Sequence, residues 1–185
     1  MIELKNISFA YEDKPIIKNF SLEIKEGDRL CLFGESGKGK TTLLRLLAGL
    51  ERPVGGEILG AENKRFSVVF QEDRLLFNMS VLKNVALVGA EEKARELLTT
   101  LGLENCFDMK PHELSGGMSR RVAIARALCA EYDLLLLDEP FNGLDEEHVK
   151  SACDLILKEA GDRPILLVSH NKEHIEYLKG EIISI

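Results

Sequence analysis

Leu30-Cys31-Leu32-Phe33-Gly34-Glu35-Ser36-Gly37-Lys38-Gly39-Lys40-Thr41-Thr42-Leu43-Leu44 is the stretch that decides the fold of this chain. Its first four residues are a short apolar run, the pattern of a buried strand. Gly34 to Thr41 fits G-x-x-x-x-G-K-[ST], and from Lys40 to Gly49 the leucines at 43, 44, 46 and 47 cover one side of a short helix that Gly49 suits as a C-terminal cap. Strand, glycine-rich loop and helix in that order predict a phosphate cradle. Glycines let the backbone curl so that several N–H groups point inward, and the helix N-terminus adds the positive end of its dipole. Gly34, Glu35, Ser36, Gly37, Lys38, Gly39, Lys40, Thr41 and Thr42 are the candidate nucleotide-binding residues. Lys40 is expected to reach the β- and γ-phosphates, Thr41 to offer its hydroxyl to Mg²⁺, and Thr42 to support the α-phosphate. At Lys38 the backbone N–H matters more than the side chain.

Working outward from the loop, Ile2 to Phe9 and Ile16 to Ile24 read as two strands joined by a turn at Glu12-Asp13-Lys14-Pro15, an antiparallel hairpin. Glu57 to Leu59 and Phe66 to Phe70 read as short strands of a small β-subdomain. The segment from Val81 to Leu103 is helical, with Ala94, Leu97, Leu98 and Leu101 on one face. A helix over Ser115 to Ala130, a strand over Leu134 to Asp138, a helix over Glu146 to Ala160, a strand over Ile165 to Ser169, and a last helix and strand complete the chain. Such alternation implies a parallel sheet flanked by helices.

The 185 residues, 45% hydrophobic and 30% charged, predict one globular domain over 1–185. The longest apolar run, Leu134 to Leu137, falls far short of the roughly 20 residues that cross a bilayer. The opening Met1-Ile2-Glu3-Leu4-Lys5 lacks the pattern of a secretory signal, so a cytoplasmic location is expected. A net charge of −7 disfavours a nucleic-acid partner. Cys31, Cys106, Cys129 and Cys153 have neither CxxC nor zinc-finger spacing and read as buried, reduced thiols.

A phosphate loop alone does not separate one nucleotide-binding class from another. Leu114-Ser115-Gly116-Gly117-Met118, followed by Arg120-Arg121-Val122-Ala123-Ile124-Ala125-Arg126-Ala127-Leu128, resembles the signature motif of the ABC ATPases. Leu134 to Pro140 is similar to that family's Walker B strand, Gly143-Leu144-Asp145 to its D-loop, Val168-Ser169-His170 to its H-loop, and Gln71 in Val69-Phe70-Gln71-Glu72-Asp73 to its Q-loop. The elements fall in the family's order from Tyr11 to His170. The resemblance implies an α/β P-loop NTPase core with a mainly parallel sheet, a small antiparallel β-subdomain, and a helical subdomain inserted at about 73–130. It implies an ATPase using ATP and Mg²⁺, with Asp138 and Gln71 joining Thr41 at the metal, Glu139 as general base, His170 and Gln71 at the γ-phosphate or water, and Tyr11 stacked on adenine. Ser115, Gly116, Gly117 and Met118 open a helix and form a second anion site, which in the family closes over the γ-phosphate held by another subunit.

The implied partners are a second copy of the chain or a homologous ATPase subunit, and an integral membrane permease that would hold the pair at the cytoplasmic face. Met118, in place of the commonest glutamine, and Phe70-Gln71-Glu72-Asp73-Arg74-Leu75-Leu76 resemble the branch serving nitrate, sulfonate and taurine importers, whereas Phe77-Asn78 and Ser119-Arg120 depart from it, the latter standing where Arg-Gln is usual. Against the alternative, a non-transport clamp of the same family, stand a single cassette, no large insert and the acidic balance.

Overall fold

Four consecutive leucines, Leu134 to Leu137, are accommodated because their strand is covered on both faces and flanked on both edges. In the computed structural model, which describes residues 1–12, 14–35 and 37–185, every residue of this strand is buried. The elements in chain order are β1 (Ile2–Tyr11), β2 (Lys14–Ile24), β3 (Arg29–Phe33), α1 (Lys40–Leu47), β4 (Gly55–Leu59), β5 (Phe66–Val69), α2 (Val81–Ala86), α3 (Glu91–Thr100), α4 (Gly116–Cys129), β6 (Leu134–Asp138), α5 (Glu146–Ala160), β7 (Ile165–Val168), α6 (Lys172–Tyr177) and β8 (Glu181–Ser184). A five-stranded sheet runs β5-β6-β7-β3-β8 with all pairings parallel, and a three-stranded antiparallel sheet runs β2-β1-β4. The expected α/β architecture is the one observed. The expected turn at 12–15 includes Asp13, which lies outside the described residues, as does Ser36 of the loop.

The antiparallel sheet meets the sheet core through a bulge. In β1 the buried residues are Ile2 and Leu4, then Ile7 and Phe9, so the alternation slips by one residue at Asn6, whose φ is 52°. These four side chains, with Ile17 and Ile24 of β2, pack with the leucines of α1 and with Leu134, Leu136, Leu166 and Val168 from one face of the parallel sheet. The opposite face packs Leu135, Leu137 and Leu167 with α4, α5 and the helical layer.

Two departures from the sequence reading are local. The strands at 57–59 and 66–69 do not form one subdomain: β4 pairs with β1, while β5 pairs with β6 at the edge of the parallel sheet. The helical segment expected over 81–103 is divided into α2 and α3, and between them Gly89 lies against α4, where an added Cβ would come within 2.3 Å of the Cys129 carbonyl. The α3 end is then closed by a turn at Gly102, φ 69°, with Leu103 N–H donating to the Leu98 carbonyl at 2.9 Å. All four cysteines are buried and free, and no helix among the described residues is long and apolar enough to cross a membrane.

Candidate active site at the carboxyl ends of the parallel strands

Parallel α/β sheets present their loops to ligands at the carboxyl ends of the strands. There a cleft of about 290 Å³ is lined by Tyr11, Ile16, Gly37, Gly39, Lys40, Thr41, Thr42, Gln71, Asp138, Glu139 and Val168. A larger cleft, about 510 Å³, lies at the amino ends of the same strands, between Ile2, Ile24, Arg65, Tyr132 and Arg163. The smaller one gathers the residues whose types suit phosphate chemistry, and it sits at the end where the loops diverge.

The loop geometry follows from its glycines. Gly39 has φ 92° and precedes α1, and a Cβ there would stand 3.0 Å from both Ile16 and Ile17 of β2. Lys40 folds back over the loop, its Nζ donating to the carbonyls of Gly34 at 2.7 Å and Glu35 at 2.8 Å. Thr42 is buried in the first turn of α1, whereas Glu35, Gly37 and Lys38 are exposed. Ser36 lies outside the described residues. Tyr11, at the end of β1, is half-exposed with its ring edge-on to Phe9 and its hydroxyl 3.5 Å from Glu51 Oε1 and from an Arg45 nitrogen.

Asp138 ends β6 facing the loop, and Thr41 Oγ1 donates to its Oδ1 at 3.2 Å. Asp138 is 3% exposed. Burial pushes its pKa up, the Thr41 hydrogen bond opposes this, the neighbouring Glu139 charge adds to it, and Lys40 and Arg120 hold it down. Glu139 follows with φ 47°, a left-handed conformation that a non-glycine residue adopts only under constraint. Its N–H donates to the Val168 carbonyl at 3.0 Å, joining the ends of β6 and β7. Its Oε1 lies 2.8 Å from Nδ1 of the exposed His170, and its Oε2 is buried without a hydrogen-bond partner among the described residues. Under this turn, His174 packs edge-on against Phe141, with Nδ1 3.3 Å from Ser169 Oγ, and burial lowers its pKa.

Ser115 caps α4, its hydroxyl accepting from Met118 N–H at 3.2 Å. Gly116 has open space around it, while a Cβ at Gly117 would meet the Gly143 carbonyl at 3.1 Å, so the signature turn and the turn before α5 are in close contact. Met118 packs on the core. Among the described residues, none of these four lines the cleft that holds Lys40 and Asp138. The structure therefore brings together Tyr11, the loop, Gln71, Asp138 and Glu139, with His170 beside them, and leaves Ser115 to Met118 on a separate surface.

Side chains that sequence reasoning passed over hold the Gln71 segment. Arg120 and Arg126 of α4 donate to the carbonyls of residues 70, 71, 73 and 74, and fully buried Asn84 bonds the backbone at Leu76, Met79 and Ser80. The available signal was three arginines, Arg120, Arg121 and Arg126, on a helix that is otherwise mostly apolar.

The family profile described as ABC transporter matches residues 17–142. The chain is 32% identical over 206 residues to the ergothioneine transport ATP-binding protein EgtV of Helicobacter pylori, spanning 100% of this chain and 97% of that protein. It is 40% identical over 194 residues to the aliphatic sulfonates import ATP-binding protein SsuB 3 of Rhodococcus jostii, spanning 98% and 70%. A solved dimer of the ATP-binding cassette MJ0796 in a post-hydrolysis state, bound to ADP and Pi, superposes with a TM-score of 0.87 at 30% identity, covering 100% of this chain and 94% of that one.

Proposed function

The chain belongs to the ABC transporter family as an ATP-binding, ATP-hydrolysing subunit, and from this premise we propose that it drives a membrane permease by closing and reopening a pair of cassettes around ATP. One observation carries the reading: Lys40, Thr41, Asp138, Glu139 and Gln71 converge on one cleft, while the helix start at Ser115 faces elsewhere. A second phosphate-binding turn outside the cleft is useful only to a ligand held by another molecule. The partner is a second copy of this chain or a homologous cassette, and the solved cassette that it resembles is a dimer.

Within one cleft, the backbone N–H groups of Gly37 to Thr42 cradle the phosphates, and Lys40 exchanges its loop carbonyls for phosphate oxygens. Tyr11 offers its ring to the adenine. The oxygens of Thr41 and Asp138, already 3.2 Å apart, and that of Gln71 suit a hard divalent cation, which takes few protein ligands and completes its shell with phosphate and water. Mg²⁺ bound there would offset charge on the β- and γ-phosphates. Glu139 orients the attacking water and accepts its proton; its Oε2 has no hydrogen-bond partner among the described residues. His170 holds the other carboxylate oxygen and reaches the γ-phosphate. Ser115, Gly116, Gly117 and the N–H of Met118 close over the partner's γ-phosphate.

Residues of about 73–130 act as the helical subdomain, and the surface around Gln71 and Phe77 to Val85 receives the permease at the cytoplasmic face. Phe77 is 71% exposed there, an unusual place for a large apolar ring. The cargo class is set by the permease and its partners. Light scattering with ATP and Mg²⁺ tests the sandwich: Glu139→Gln should form a stable dimer that the wild type forms only transiently, and two monomeric but ATP-bound proteins would refute it.

A further inference from the structure

Arg120 occupies the position where the resembling sequences carry glutamine, and nothing in the ATP-binding scheme uses it. It is 6% exposed, so its guanidinium has to find its partners inside the protein. All of them lie on one segment. One terminal nitrogen donates to the Phe70 carbonyl at 2.7 Å, the other to the Gln71 carbonyl, and Nε stands 3.2 Å from Asp73 Oδ1. That last contact is an ion pair rather than an aligned hydrogen bond, since Oδ1 is otherwise unpartnered among the described residues. A planar fork of fixed donors can engage two successive carbonyls and a carboxylate at once; a neutral amide cannot. Asp73 is matched to it as the carboxylate beside the buried guanidinium. Farther along the helix, Arg126 donates to the carbonyls of Arg74 and Asp73 at 2.9 Å each.

We propose that Arg120 is a positioning residue for ATP hydrolysis, which locks the main chain of Phe70 to Asp73 onto α4 so that Gln71 keeps its place in the cleft and moves with Ser115 as one rigid unit. The helix is the physical link: Ser115 caps its N-terminus, Arg120 lies in its second turn, and a helix transmits rotation without stretching. Any motion that carries Ser115 toward a partner's phosphate thus displaces Gln71 in the same step. This rests on the reading of Gln71 as a magnesium and γ-phosphate contact.

The test is the affinity of the full chain for a fluorescent, non-hydrolysable ATP analogue, measured in Mg²⁺ and in EDTA, for wild type, Arg120→Gln, Arg120→Lys, Asp73→Asn and Gln71→Ala. Loss of charged, buried hydrogen bonds predicts that Arg120→Gln weakens binding about tenfold in Mg²⁺ and leaves it unchanged in EDTA. Arg120→Lys, which keeps the charge but not the fork, should fall between, and Asp73→Asn should give a smaller loss of the same selective kind. Hydrogen exchange should show faster opening of residues 70–75 in Arg120→Gln with α1 and β6 unaffected. If Gln71→Ala loses the magnesium-dependent affinity but Arg120→Gln and Asp73→Asn do not, the clamp is refuted and the Gln71 reading stands. If Gln71→Ala loses nothing, the Gln71 reading fails, and the positioning role fails with it. Should Arg120→Gln not fold, wild-type behaviour of Asp73→Asn and Arg120→Lys refutes the clamp.

Discussion

Glu139 and His170 meet through Oε1 and Nδ1 at 2.8 Å, across the gap between the ends of β6 and β7. The contact needs the left-handed backbone at Glu139, which turns the carboxylate from the strand axis toward the neighbouring loop. One oxygen is thereby held by the imidazole, and the other is buried without a hydrogen-bond partner among the described residues.

Two residues that act as a unit lose activity together. Replacing His170 by Ala should lower kcat by about 100-fold while leaving ATP affinity within a few-fold, and adding Glu139→Gln should cost little more than the worse single change. Steady-state ATPase kinetics on both singles and the double decide it; additive losses would mean that the two side chains work independently.

Asp138 spends stability on function. Burial raises its carboxyl pKa, so the folded state holds the proton more tightly than the unfolded chain, and stability falls as pH rises through the window above the ordinary carboxylate range. Asp138→Asn removes that penalty, keeps an acceptor for Thr41, and should raise Tm at pH 7 by about 3 °C. The advantage should shrink as pH is lowered toward about 4. Calorimetry across this range would show it, with magnesium-dependent nucleotide binding lost in the same variant. A gain that is independent of pH would sink the explanation.

Gly39 and Gly116 separate two uses of glycine. Gly39→Ala forces a Cβ into contact with Ile16 and Ile17 at a positive φ and should destabilise the chain by about 1–3 kcal/mol, read from urea unfolding.

Gly116→Ala meets open space in this chain and should leave Tm unchanged or higher, since Ala favours helix over Gly by up to about 1 kcal/mol. In the Glu139→Gln background it should nevertheless abolish the ATP-dependent dimer, because the added methyl stands where the partner's phosphate would approach. A dimer that survives, seen by light scattering, would place the interface elsewhere.

The buried thiols give a reagent-based check. Burial pushes Cys31 to about 11 and Cys153 to about 12, so neither carries thiolate at pH 8. Iodoacetamide should label both only after urea unfolding; modification of either in the native protein would mean local opening at β3 or α5.

How much was legible follows from the range of each signal. The strand at Leu134–Asp138, the helix over Glu146–Ala160 and the loop between Phe33 and Lys40 are written in neighbouring residues, through apolar runs, glycines and spacing that a single element satisfies. The candidate site was legible for a related reason: Asp138, Glu139 and Gln71 each sit at or just past the end of a strand, Lys40 opens the helix that follows the loop after β3, and parallel strands deliver their ends to one place.

The sequence by itself determined the element order, the parallel core, the phosphate loop and the family, because periodicity, turn chemistry and motif spacing act over a few residues. Only the tertiary structure decided that β4 and β5 part into different sheets, that Gly89 packs against Cys129 between α2 and α3, that Glu139 takes a positive φ, and that Arg120 reaches back to Phe70 and Gln71. Each of these depends on a partner 30 or more residues away, or on a backbone angle set by packing, and such contacts exist only once the sheet has brought distant segments side by side.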